Sequence, residues 1–195
     1  MYGRDMSWQA FVLLVVLFAS VGNATRPASV VAGSVPAASA DGVRALLERG
    51  YYFSARDAAR ALLSAAAAAG DSASVAEALE FYLGGAEIFA GARPADGPQV
   101  AARLVRIREA QLRPDSSALA TSLLFLGSSL RVSNQVAQSR APLERAIRER
   151  TYGPVGLEAA QSQFQLALTL RAQRDTSAAR KLLQRSMETW HLAGC

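Results

Sequence analysis

The stretch from Pro114 to Thr189 is one pattern written twice. Moving Pro114 onto Pro154, a shift of 40 residues, brings Ser122 onto Ser162, Leu126 onto Leu166, Leu130 onto Leu170 and Arg131 onto Arg171. The same shift sets Arg140 on Arg180, Leu143 on Leu183 and Arg145 on Arg185. Other columns agree by size: Gly127 with Ala167, Ser139 with Ala179, Ala146 with Ser186. Small side chains at matching places mark close backbone approach between two packed helices per repeat. A period of this length predicts an all-α fold, an α-solenoid of about four antiparallel helical hairpins.

Composition agrees with helix. Alanine, leucine and arginine dominate, and β-branched and aromatic residues are sparse after the first twenty positions. A chain of 195 residues is of single-domain size. The net charge of +5 is carried almost wholly by arginine, with Lys181 the only lysine. Acidic residues are interspersed on the same predicted helices, so no single-sign block forms and no nucleic acid is expected as partner. His191 and Cys195 are the only residues of their kinds. One histidine and one thiol exclude a disulfide framework, a thiolate metal site and a two-histidine zinc site within the chain. No catalytic, cofactor-binding or metal-binding set is expected, and the chain reads as a non-enzyme.

Taken in order, residues 1–24 read as a secretory signal peptide: Arg4 in the n-region, Ala10 to Ala19 as the apolar core and Gly22-Asn23-Ala24 as the cleavage signature. The apolar run is shorter than the roughly 20 residues a spanning helix needs. Export to the periplasm or medium is expected, with an uncleaved membrane anchor or a buried core helix as the competing readings. Residues 25–40 mix Pro, Gly, Ser and Ala without period and read as a flexible linker. The repeat domain is then 41–195, with repeats at about 41–70, 72–113, 114–153 and 154–192. Asp41 is the expected cap of a helix to Arg49, and a second helix runs from Ser54 to Ala69, ended by Gly70. A third, capped by Asp71 or Ser72, is expected over Ser74–Phe89 with Val75, Leu79 and Leu83 inward, and a fourth over Gln99–Leu112. Asp115 or Ser116 caps the fifth, to Val132. Ser133-Asn134 turns the chain into the sixth, Gln135–Arg150, with Pro142 inside it. The seventh spans Gly156–Arg174, and the eighth, capped by Asp175 or Thr176, ends near Leu192.

Two segments carry a family resemblance. Ala120-Thr121-Ser122-Leu123-Leu124-Phe125-Leu126-Gly127 resembles the first-helix signature of the tetratricopeptide repeat in its longer, kinesin-light-chain-like form, written A-T-S-L-N-N-L-G. Arg140-Ala141-Pro142-Leu143-Glu144-Arg145-Ala146-Ile147-Arg148-Glu149 resembles the second-helix signature, A-E-P-L-Y-E-R-A-L-A-I-R-E. The likeness covers about 74–190, with 42–69 as a degenerate first repeat. It implies a right-handed superhelix whose first helices line a concave groove that binds a peptide or helix segment of a protein partner.

Carried over by position, the groove residues are Thr121, Leu124, Phe125, Ser128 and Arg131, with counterparts Gln161, Phe164, Gln165, Leu168 and Arg171. Leu124-Phe125 and Phe164-Gln165 stand where the family has paired asparagines, so an apolar or amphipathic segment is the expected ligand. The alternative is that Leu124, Phe125 and Phe164 pack the hairpin interior, and that Arg131 and Arg171 serve the negative end of the helix dipole. After Thr189 only Trp190 and Leu192 are available as an apolar lid, which leaves self-association through the last hairpin open. Exported or multidomain bacterial proteins of this type often continue into a caspase-like protease domain, so a regulatory part of a larger enzyme is the second reading. A nucleic-acid or anionic-surface binder is the third and least favoured of these, on the arginine excess alone.

Overall fold

The computed structural model describes residues 39–83, 96–112, 116–150 and 157–192. The signal peptide expected over 1–24, almost all of the linker and the last part of the helix expected over Ser74–Phe89 lie outside the described residues. Those described form eight helices and no strand. They are α1 (Ala40–Glu48), α2 (Tyr52–Ala69), α3 (Ser72–Phe81), α4 (Gly97–Gln111), α5 (Ser117–Val132), α6 (Val136–Arg150), α7 (Leu157–Ala172) and α8 (Thr176–Leu192). The chain divides at Pro94/Ala95 into two compact units, with α1–α3 in one and α4–α8 in the other. The expected repeat over 72–113 straddles that division.

Helix ends follow local chemistry. Four turns close with the same two backbone bonds, six residues to one and five to two, around a residue in the left-handed region. Gly50 (φ 77°) and Gly70 (φ 68°) occupy that position in the first unit, Asn134 (φ 63°) and Arg174 (φ 67°) in the second. At Asn134 the bonds are Gln135 N to Leu130 O, 2.8 Å, and Asn134 N to Arg131 O, 3.1 Å. At Arg174, 40 residues on, they are Asp175 N to Leu170 O, 2.9 Å, and Arg174 N to Arg171 O, 3.0 Å. The expected α7 limit at Arg174 is therefore two residues too long, because Arg174 is the turn residue itself. The first cap also differs from expectation. Ser39, not Asp41, caps α1 by accepting from Gly42 N at 3.1 Å, and Asp41 sits in the first turn, where it pairs with Arg44 at 2.7 Å. Asp71 caps α3 as expected, accepting from Ala73 N and Ser74 N.

In the first unit each helix packs on the next, and α1 also touches α3. Its core is built largely of alanine (Ala55, Ala58, Ala59, Ala66, Ala76, Ala78) around Val43, Leu47, Val75, Leu79 and Leu83. Arg44 lies over the Phe81 ring at 5.6 Å, and Arg60 lies over Tyr82 at 5.3 Å and donates to its hydroxyl at 3.2 Å. In the second unit consecutive helices again pack in sequence, and α5 lies against α7 directly. That is the contact pattern of an α-solenoid of hairpins, with α5 and α7 as first helices and α6 and α8 as second helices.

Small residues sit where helices approach. A Cβ added at Gly127 would lie 2.8 Å from Leu143 Cδ2 and closer still to Cγ. Ala146, Ala167 and Ser186 are fully buried. Hydroxyls in these contacts are satisfied locally: Ser186 Oγ donates to Ala160 O at 2.8 Å, linking α8 to α7. Ser139 Oγ donates to Val136 O at 2.8 Å, so Thr169 Oγ1 supplies the proton of the buried 3.2 Å bond between Ser139 and Thr169. α6 runs unbroken through Pro142.

Candidate functional site

The first helices α5 and α7 bring the expected groove residues onto two neighbouring elements, but not onto one open surface. Leu124 is 4% exposed and belongs to a core cluster with Leu143, Leu166, Leu170 and Ala179. Phe125 is 5% exposed. The apolar lining expected on α5 is thus interior: α7 lays Leu166 and Leu170 against Leu124, and Phe125 is buried as well. Thr121 and Ser128 are half-buried, and Thr121 Oγ1 donates to Ser117 O at 3.0 Å, one turn back on its own helix.

The α7 half is more open and more polar. Phe164 and Leu168 are half-buried and Arg171 is exposed. The Phe164 ring meets Trp190 of α8 at 5.7 Å between centroids and 49° between planes, so Trp190 does partly cover the last hairpin. Gln161 and Gln165, one turn apart, are buried. Arg131, in the last turn of α5, donates from one terminal guanidinium nitrogen to Gln165 Oε1 at 3.0 Å. Its role is a bridge between the two first helices, beyond any interaction with the dipole of its own helix. Gln161 Oε1 is buried without a hydrogen-bond partner among the described residues. An amide acceptor in that condition forfeits about 1–3 kcal/mol, which a donor within reach would recover.

Sequence comparison pointed to Arg131 through its repetition at Arg171, but not to the Arg131–Gln165 bond, which joins residues 34 apart and has no signature within either helix. Chemistry-bearing clusters are scarce: among the described residues no three of His, Cys, Asp and Glu come together as a metal-binding group. No described helix is long and apolar enough to cross a membrane. No family model matches the chain, and the search of curated proteins finds no relative.

Proposed function

We propose that this chain is a non-enzymatic protein-interaction scaffold, tetratricopeptide-like in plan, that holds a peptide or helix segment along its first helices. One observation supports the reading above others. α5 and α7 lie side by side, tied by Arg131 and Gln165, and the neighbouring amide of Gln161 has an unused acceptor. The Gln161 acceptor has no exposed surface in the folded chain, so the reading requires its side chain to turn outward and take an N–H from the peptide main chain. The ligand preference shifts accordingly: with Leu124 and Phe125 in the core, main-chain recognition by amides replaces an apolar lining.

The test is a peptide-library selection on the immobilised full chain, followed by affinity measurement with Gln161→Ala and Arg131→Ala. Loss of one main-chain hydrogen bond weakens binding about tenfold. Selected peptides that bind both variants as tightly as the parent would refute the site. Export is part of the same reading and rests on residues 1–24. Expression with those residues intact should yield a secreted product whose N-terminus is Thr25. A cell-associated product retaining Met1 would instead support the anchor.

A further inference from the structure

The internal repeat allows one hairpin to serve as a template for another. In α5–α6, Leu124 and Leu143 are 4% and 0% exposed, because α7 lays Leu166 and Leu170 against them. Their counterparts 40 residues on, Phe164 and Leu183, are only half-buried. Met187, the counterpart of half-buried Ile147, is 65% exposed. Arg131 finds its acceptor, Gln165, on the covering helix, while Arg171 stands exposed at the end of α7. Helical spacing puts Phe164, Leu168 and Arg171 on one stripe of α7, and Leu183, Met187 and Arg180 on one stripe of α8. So the last described hairpin presents the kind of surface that the previous one buries beneath a helix.

We propose that this outer face of α7–α8 docks an amphipathic helix of a partner protein, with leucines along its stripe and carboxylates opposite Arg171 and Arg180. The apolar part of the occupant follows from the template, in which Leu166 and Leu170 are what the equivalent face accepts. The acidic part follows from charge. Arg171 and Arg180 are exposed on the two stripes that carry Phe164, Leu168, Leu183 and Met187. A second copy of the same face would set Arg171 and Arg180 against their own kind, a repulsive arrangement. The site is distinct from the amide pair of the proposed groove: Gln165 faces α5, whereas Phe164 turns to Trp190.

The template also supplies the probe. A fluorescent, stapled peptide of residues 157–172 presents Leu166 and Leu170 as α7 does, and its Gln165→Glu version places a carboxylate where Arg171 would meet it. Anisotropy titration against the full chain should show binding, tighter for the Gln165→Glu peptide, and none when Leu166 and Leu170 of the peptide are both Asp. In the protein, Met187→Asp should weaken binding about tenfold. That substitution is at an exposed position and leaves the fold intact, and Arg171→Glu should reverse the preference between the two peptides. Gln161→Ala should leave this binding unchanged while it weakens groove peptides, so the two sites fail separately. Binding that ignores Met187 and Arg171 would mean the peptide displaces α7 from its own place, and overturns the proposal. So does absence of binding by either peptide. A concentration-dependent dimer by light scattering, abolished by Met187→Asp, would assign the face to a second copy instead.

Discussion

A single methylene position shows how tightly this chain is packed. Gly127 has no room for a methyl group, since Leu143 fills the space, and Leu143 is itself fully buried. Gly127→Ala should therefore cost about 1–3 kcal/mol in urea unfolding despite alanine's better helix propensity. Combining it with Leu143→Ala should restore part of the loss, a coupling that a double-mutant cycle reads directly. Leu124 separates core from groove in the same way. Leu124→Ala should cost about 2–5 kcal/mol, as a core truncation does, while Ser128→Ala on the same helix should stay within about 0.5 kcal/mol. A Leu124→Ala variant as stable as its parent would contradict its place in the cluster with Leu166 and Leu170.

Helix boundaries are set by turn residues whose backbone φ is positive. Gly70 has open space around it, so Gly70→Ala should cost about 1 kcal/mol through φ alone, with no steric term. Arg174 is the converse, a side chain held at φ 67° where glycine would rest without strain, and Arg174→Gly should stabilise by about 1 kcal/mol. Thermal unfolding of both variants tests the pair. At the start of α3, the Ser74 hydroxyl bonded to the Asp71 carboxylate, helped by the Ser74 amide, holds that carboxyl below its ordinary value. A depressed folded-state pKa means the cap's contribution is present above the unfolded value and lost as pH falls through the folded one. Asp71→Asn should accordingly flatten the acid limb of the stability profile.

At the scale of the molecule, a repeat array is stabilised by neighbours, so protection should follow the number of covering helices. α6 lies between α5 and α7, whereas α8 packs chiefly on α7. Hydrogen exchange should find α8 amides the least protected of the helices from α5 onward, and α5 and α6 the most. Uniform protection would mean that α4–α8 opens as one cooperative block. Binding of the proposed partner helix to the α7–α8 face should slow exchange in α8 in particular.

The sequence by itself determined the helical class, the 40-residue period, the turns at Gly70 and Asn134, and the sites of close approach at Gly127 and Ser186, because these depend on local backbone chemistry and on side-chain size. It placed Val75, Leu79 and Leu83 inward correctly, since a helical stripe identifies the apolar face of its own helix. Only the tertiary structure decided that Leu124 and Phe125 are interior while Phe164, in the same repeat column as Leu124, is half-open. Periodicity says which face a residue is on. Whether that face meets a helix or water depends on the neighbour that covers it: α7 covers the α5–α6 hairpin, and at α7–α8 the Trp190 ring is laid over Phe164.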